Sequence, residues 1–306
     1  MKSLIEPKLL KGFRDFLPSS ETSRKSLIGR LETVFRQAGF VPIDTPAIEY
    51  AEILLGKSGG ETEKQVYTFM DQGERQVALR FDLTVPFARF LAQHRHEISL
   101  PFRRYHIAKV WRGEKPHAGR FREFMQCDFD CVGSDSLSAD LEILVLMYRS
   151  MKTLGIDDFK IHISHRGIFN ALLSKLLCEN HSVEILRAVD KIKKQGSDIV
   201  SAELSTYLKP EISKKILEFI SPLPDFHSTL KKCSDAVGND NPCVIRMEQL
   251  GSCFKELGIQ GYFVFDTSIT RGLDYYTGVV FETFLSKLPD IGSVCSGGRY
   301  DNLVSL

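Results

Sequence analysis

Apolar residues recur at steps of three and four positions near the N-terminus, a spacing typical of one buried helix face. The series consists of Leu27, Ile28, Leu31, Val34 and Phe35. It predicts a helix over residues 23–38 that ends at Gly39, with possible N-terminal caps at Ser19, Ser20 and Thr22.

Shorter extended runs predict strands over residues 40–50, 76–84, 105–112 and 122–132. Pro42 and Pro46 exclude a helix from the first run and place that strand at an edge or interface. The last two runs flank residues 113–121, which are polar, basic and glycine-containing, so we expect an antiparallel hairpin with a long basic tip.

Helical spacing returns over residues 138–154 and dominates a later region rich in leucine, isoleucine, lysine and serine. Further helices are predicted over residues 168–177, 182–194, 212–220 and 247–257. Strands over 262–266 and 279–285 frame the segment RGLDYYTG. Residues 295–301 are interpreted as a second glycine turn, where backbone could approach a ligand closely.

This pattern predicts an α+β fold with antiparallel pairing throughout, in which helices flank an antiparallel sheet. We expect residues 1–166 and 243–306 to form the two parts of one core and residues 167–242 to form a helical insertion.

Composition narrows the functional classes. A net charge of +1 gives no whole-molecule attraction to nucleic acid, so an RNA-binding surface must be a local patch. No apolar run approaches the roughly 18–20 residues of a membrane helix, and the N-terminus lacks a secretory signal, which predicts a cytoplasmic protein without a membrane partner. The seven cysteines show no regular spacing, so we expect free thiols and no metal site.

The strand over residues 122–132 carries the strongest chemical signal. Gln126, Asp128 and Asp130 fall on one face because side chains alternate along a strand, while Cys127 and Phe129 fall on the other. Carboxylates and an amide can accept hydrogen bonds from an ammonium group or an imidazole N–H. The pattern fits either a solvated face or a ligand pocket.

Basic residues cluster at the hairpin tip, where Arg112, Lys115, His117 and Arg120 could clamp phosphates or form a solvated loop. Arg80 and Asp82 are expected on one side of their strand, with Thr84 next in line. Such an Arg–Asp pair is more often a structural salt bridge than a site.

The two glycine segments fit a ligand site or tight structural turns. Neither a P-loop nor a dinucleotide fingerprint occurs, so side-chain arginines would have to hold any phosphate.

Several ordered segments resemble histidine–tRNA ligases, a family of class II aminoacyl-tRNA synthetases. The second class II motif in its histidyl form is similar to FRRYHIAKVWRGEKPHAGRFREFMQCDFD, and the two histidine-specific segments are similar to RGLDYYTG and CSGGRYDNL. KGFRDFLP and ALRFDLTVPFARF also resemble this family. The first class II motif, which forms the dimer interface around a proline, resembles FVPIDTPAIE, with Pro46 at that position.

The resemblance implies roles for individual residues toward histidine. Asp82, Thr84 and Gln126 would hold the α-amino group. Asp130 and Tyr276 would face the imidazole, and Tyr275 would lie in the same pocket.

The resemblance also implies an ATP site and its partners. Arg112 would touch the α-phosphate, Glu114 the adenine region and Arg120 the outer phosphates, with Mg²⁺ on the phosphates. Arg271 would be the fixed cation beside the reacting carboxylate. The partners implied are histidine, ATP, the acceptor end of tRNA(His) and a second copy of the chain.

In that family a third motif and an anticodon-binding domain follow GGRYDNL. We expect neither within the 306 residues of this sequence, and we therefore expect these residues to charge tRNA poorly. Two alternatives to a ligase stay open. One is a non-catalytic histidine-binding regulatory subunit of ATP phosphoribosyltransferase, and the other is a synthetase-like module of a stress-sensing protein. Arg271 within an intact RGLDYYTG favours the ligase.

Overall fold

The computed structural model describes residues 5–56, 65–117, 119–270, 276–301 and 303. The chain divides into two compact units. The first comprises Met1–Ser134, Arg149–Gly155 and Leu303–Leu306, and the second comprises Asp135–Tyr148 and Ile156–Asn302. The division into residues 1–166, 167–242 and 243–306 stays a prediction.

The first unit opens with helix α1, Pro18–Gln37, which begins earlier than predicted. Leu17 is extended at the N-cap and Pro18 occupies the first turn, where its missing N–H costs no helical bond. The predicted caps are therefore wrong, since Thr22 lies inside the helix and its hydroxyl donates to the Pro18 carbonyl at 2.7 Å. Gly39 follows the helix with a φ of 78°, as predicted for its end.

The predicted hairpin is confirmed. Strand β5, Phe102–Trp111, pairs antiparallel with β6, Glu123–Val132. The short strand β1, Val41–Pro42, pairs parallel with β5 at the edge of this three-stranded sheet. Antiparallel pairing throughout is therefore wrong for this sheet.

A second small sheet in the first unit has the order β2-β4-β3. Its strands are Ile48–Tyr50, Thr68–Met70 and Gln76–Leu79, in chain order β2, β3 and β4. Helices α2, Ala51–Leu55, and α3, Thr84–His94, follow β2 and β4. Both β1 and β2 lie at sheet edges, as the two prolines predict.

The predicted strand over residues 76–84 is wrong beyond Leu79, because Thr84 already begins α3. Asp82 Oδ1 accepts a hydrogen bond from the Val85 amide at 3.1 Å, and this amide is one of the free donors at the helix N-terminus. Pro86 lies in the first turn, where a proline is tolerated. These local interactions override the strand-like alternation.

The second unit contains a four-stranded sheet of order β10-β9-β7-β8. The strands are β7 Phe159–His165, β8 Phe263–Phe265, β9 Val279–Leu285 and β10 Ser293–Gly298. β7 and β8 are parallel, since a long helical segment connects them, which is a second exception to antiparallel pairing. The glycine turn predicted over residues 295–301 is wrong as far as Gly298, because β10 extends to that residue.

Helices make up most of the remainder, as predicted for an α+β fold with antiparallel-containing sheets flanked by helices. Helix α4, Leu137–Thr153, matches the predicted helix within one residue at each end. The later helices are α5 Arg166–Lys175, α6 Ser182–Asp190, α7 Ile192–Gln195, α8 Ser197–Leu204, α9 Pro210–Ile220, α10 Phe226–Val237 and α11 Pro242–Glu256. Within the described ranges, no helix is both long and apolar enough to cross a membrane.

Candidate functional site

One face of the β5–β6 hairpin collects polar side chains. Arg104, His106 and Ala108 lie directly opposite Asp130, Asp128 and Gln126, and directly opposed residues share a face. On the other face, the Phe129 ring packs 5.2 Å from Phe35 and 6.2 Å from Phe40, measured between centroids. The predicted separation of the acidic set from the apolar set is confirmed.

Gln126 and Asp128 form the centre of this polar face. Gln126 Nε2 donates to both carboxylate oxygens of Asp128, at 2.9 and 3.0 Å, and Thr84 Oγ1 lies 3.5 Å from the same carboxylate. Because Gln126 Nε2 faces Asp128, Gln126 Oε1 points away from that carboxylate. Gln126 Oε1 is buried and has no hydrogen-bond partner within the described residues, so it offers an acceptor to a ligand.

Arg104 lies beside this pair with its side chain fully buried. Its Nη2 is 2.5 Å from Asp130 Oδ2, and its guanidinium carbon is 4.1 Å from the centroid of the Phe87 ring. In the described part of the chain none of its three nitrogens makes a well-directed hydrogen bond, so the contact with Asp130 is a charge contact. Sequence reasoning missed Arg104, although the strand register would have placed it opposite Asp130.

Three buried or half-buried carboxylates share this region. Burial raises the pKa of Asp128 to about 6; Arg104 opposes the shift, while the like charges of Asp130 and Asp82 add to it. Burial also raises the pKa of Asp82, against the Val85 amide and the positive charges of Arg112 and Arg104. Crowded carboxylates of this kind favour a cationic ligand group.

Arg112 follows β5 and carries the next cation. Its guanidinium carbon lies 4.4 Å from the Phe81 ring centroid and 5.1 Å from that of Phe124, and its Nε donates to the Phe81 carbonyl at 3.2 Å. Burial lowers its pKa, but an arginine remains charged at neutral pH. The charges of Glu114 and Arg120 act on Arg112, so the predicted ATP-binding residues share one electrostatic environment.

The hairpin tip is a turn held by its own backbone. The Arg120 N–H donates to the His117 carbonyl at 2.9 Å, and the Glu114 carbonyl accepts a bond of 3.0 Å from Arg122 Nε. Across the described residues, no group of three or more histidine, cysteine or acidic side chains is arranged to hold a metal ion.

Arg80 has a structural position. Its Nε donates to the Lys109 carbonyl at 2.9 Å and its Nη1 to the Thr45 carbonyl at 2.6 Å. Its nearest carboxylate is that of Asp44, at 3.9 Å. The salt bridge between Arg80 and Asp82 that the sequence suggested therefore does not form. Pro46 is exposed, between β1 and β2.

Two predicted residues, Arg271 and Tyr275, lie outside the described residues. Tyr276 is described, and its ring occupies the space beside Gly298, where an added Cβ would come within 3.0 Å of it. Gly297 likewise leaves room for the Phe281 ring. The glycines of β10 therefore accommodate the chain's own aromatic rings, and the predicted close approach of backbone to a ligand is not required there.

A second charged cluster surrounds a cavity of about 240 Å³ in the second unit. It is lined by Asp135, His165, Arg246, Thr277, Gly278, Arg299 and Asp301. Arg299 approaches the carboxylates of Asp135 at 2.9 Å and Asp301 at 3.0 Å, and Arg246 approaches that of Asp140 at 2.5 Å. Thr277, Gly278, Arg299 and Asp301 belong to the two glycine segments singled out in the sequence. Sequence reasoning missed their partners Asp135, His165 and Arg246, because these come from distant segments.

Comparison with known proteins agrees with the earlier resemblance. The family model described as histidyl-tRNA synthetase matches residues 12–306. A histidine–tRNA ligase of Treponema denticola is 58% identical over 312 residues, covering 100% of this chain and 70% of that relative.

Two solved structures share the fold. The histidyl-tRNA synthetase of Nostoc sp. PCC 7120 is 32% identical, with a TM-score of 0.86, over 99% of this chain and 70% of that one. A Bacillus halodurans protein described as an ATP phosphoribosyltransferase regulatory subunit/histidyl-tRNA synthetase is 26% identical, with a TM-score of 0.84, over 98% of this chain and 78% of that one. Because the family model spans almost the whole chain and the Treponema relative is so similar, this chain belongs to the histidyl-tRNA synthetase family.

Proposed function

We propose that this protein is a histidine–tRNA ligase, which activates histidine with ATP and transfers it to tRNA(His). The observation that carries the proposal is the polar face of the β5–β6 hairpin, where the buried Gln126 Oε1 lies beside carboxylates with no hydrogen-bond partner among the residues that the structure describes. A zwitterionic amino acid with a ring N–H complements such a face, because its ammonium group and its ring are both donors.

Histidine binding follows from these side chains. The α-ammonium group donates to Gln126 Oε1 and Thr84 Oγ1 in the field of Asp82 and Asp128. Asp130, whose side chain keeps 15% of its surface exposed, accepts the ring N–H. An amino acid without that N–H would leave the carboxylate unsatisfied, which is the basis of discrimination. Tyr276 and Tyr275 complete the ring site in this proposal.

Activation brings two anions together, so fixed cations must screen them and align the attack. A histidine carboxylate oxygen bonds to the α-phosphorus of ATP while the bond from that phosphorus to the bridging oxygen breaks. Pyrophosphate leaves with the electron pair. Arg112 holds the α-phosphate, Arg120 the outer phosphates, Glu114 the adenine region, and Arg271 the reacting carboxylate. A Mg²⁺ ion on the ATP phosphates would neutralise part of their negative charge.

The transfer step and the assembly extend the proposal. A hydroxyl of the tRNA 3′ end attacks the activated carbonyl carbon and releases AMP, with the basic loop over residues 112–122 beside the acceptor stem. We place the reaction in the cytoplasm. We further propose a homodimer formed through the segment around Pro46, where Val41, Ile48 and Tyr50 expose 46–47% of their surface.

Histidine-dependent exchange between ATP and pyrophosphate tests the proposal. The protein should show exchange that requires histidine, and Arg271→Ala should abolish it while histidine binding survives at reduced affinity. Histidine binding without any exchange would instead favour the regulatory-subunit alternative. Exchange equal to wild type in Arg271→Ala would remove that residue from the chemistry.

A further inference from the structure

Arg104 is fully buried near the start of β5, the central strand of its three-stranded sheet. A buried cation is costly unless neighbouring charges compensate it, and an apolar residue of similar volume often packs as well or better. Its guanidinium carbon lies 4.1 Å from the centroid of the Phe87 ring, and an uncharged side chain of similar volume could also fill that space. The guanidinium is therefore to be explained by the carboxylates it faces.

Those carboxylates are the ones that face the proposed ligand. Arg104 Nη2 contacts Asp130 Oδ2 at 2.5 Å, and among the charged groups around Asp128 it is the strongest influence favouring the ionised form. It acts in the same direction on Asp82. The Arg104 guanidinium, stacked on the Phe87 ring, thus favours the ionised forms of Asp128 and Asp82 and contacts Asp130 directly.

We propose that Arg104 is the positioning residue for histidine specificity: it fixes one oxygen of Asp130, so that this carboxylate meets the substrate ring in one orientation. This inference rests on the proposed function. Arg104 touches no substrate in this account and acts through Asp130. Lysine would keep the charge but would lose both the planar fork and its stacking on Phe87.

Arg80 provides a matched control. It is also a buried arginine of the first unit, with 5% of its surface exposed, and it donates to the backbone carbonyls of Thr45 and Lys109. Arg80→Lys should lower thermal stability without changing ligand discrimination. A merely structural role for Arg104 would give the same result in Arg104→Lys.

The test is calorimetric titration of the protein with L-histidine and with its two ring N-methyl derivatives. Arg104→Lys should weaken histidine binding about tenfold or more, in the range expected for a misplaced charged hydrogen bond. It should lower the preference for histidine over the less favoured methyl derivative by a similar factor. In exchange assays, the KM for ATP should stay within about twofold of wild type.

A double-mutant cycle assigns the effect to Asp130. Asp130→Asn by itself should lower the preference for histidine over the methyl derivative. Adding Arg104→Gln to Asp130→Asn should change that preference further by less than about threefold. This double variant removes the whole ion pair, so it also serves if Arg104→Lys does not fold. Additive losses, an unchanged preference in Arg104→Lys, or the same loss in Arg80→Lys would overturn the inference. Wild type that binds no histidine would refute the proposed function instead.

Discussion

Each unit contains a cluster of arginines and aspartates, and the two clusters differ in how completely the protein satisfies them. In the second unit, Arg246 bonds the Asp140 carboxylate and donates to the carbonyls of Asp135 and Ser136 at 3.1 Å. Arg299 lies among three carboxylates. In the first unit, Gln126 Oε1 and His106 Nδ1 are buried without a partner in the described part of the chain.

We interpret the second cluster as a structural network and the first as the proposed binding surface. Buried polar groups are normally paired, so a closed set of pairs needs nothing further. Open acceptors beside carboxylates are costly in the free protein, and a ligand that donates to them recovers that cost. Each cluster also holds a buried histidine, His106 or His165, whose pKa burial lowers to about 4, so the histidine pKa does not distinguish the two clusters.

Removing the open acceptor should have the largest effect on ligand binding. In Gln126→Leu, the histidine affinity should fall roughly 10- to 100-fold, because the ammonium group loses a charged hydrogen bond. Calorimetry measures it, and circular dichroism confirms that the variant is folded. Wild-type affinity in a folded Gln126→Leu protein would mean that the open acceptor is not part of the histidine site.

Breaking the closed network should affect stability instead. Arg246→Ala leaves Asp140, whose side chain is 9% exposed, without its nearest cation. We expect a loss of about 1–3 kcal/mol in the free energy of unfolding and a histidine affinity within about twofold of wild type. Urea unfolding gives the first quantity and calorimetry the second.

Lys214→Ala is the matched control for that variant. Lys214 lies 3.9 Å from Glu218 in an exposed pair, and such pairs contribute little. A tenfold loss of histidine affinity in Arg246→Ala would contradict the division between a structural and a binding cluster.

Lowering the pH should produce the smallest effect. The pKa of Asp128 is raised to about 6, so its carboxylate is ionised above that pH and protonates as the pH falls through it. Protonation removes negative charge facing the ammonium group and one acceptor for Gln126 Nε2. Histidine affinity at pH 5 relative to pH 7.5 should therefore fall about three- to tenfold more in wild type than in Asp128→Asn.

Protonation of Asp128 has the opposite effect on folding stability: the stability rises as the pH falls, whereas the histidine affinity falls. Since the folded pKa of Asp128 lies above its unfolded value, wild type gains stability from this carboxyl as the pH falls toward 4, and Asp128→Asn lacks that gain. The free histidine ring, with a pKa of about 6.5, titrates equally in both binding experiments and cancels from the comparison. Parallel affinity profiles for the two proteins would exclude Asp128 from the site.

The local sequence pattern was sufficient to predict the polar face of β6, which carries the proposed site. It was insufficient to predict the residues of β5 that lie opposite that face. Period-two alternation identified Gln126, Asp128 and Asp130 as one face, because alternation depends only on the strand itself. Arg104 and His106 belong to the same face, but their importance depends on which residues lie opposite, and that pairing is not written in β5 alone. The strand predicted from Gln76 ends at Leu79 instead of Thr84, because the Asp82 carboxylate binds an amide at the start of α3.

Long-range packing explains the other differences. The parallel pairs β1–β5 and β7–β8 join segments far apart in the chain, which local periodicity does not report. Gly298 looked like part of a turn because glycine is permissive, whereas its missing side chain makes room for the Tyr276 ring from another segment. The resemblance to synthetase motifs supplied the residue roles that geometry within one strand could not.

A crystal structure with histidine bound tests the central claim most directly. We predict the histidine ammonium group within about 3 Å of Gln126 Oε1 and a ring nitrogen within the same distance of an Asp130 oxygen, with Arg104 still paired behind it. Histidine bound in the Arg246–Arg299 cavity, with the β5–β6 face occupied only by water, would contradict the account.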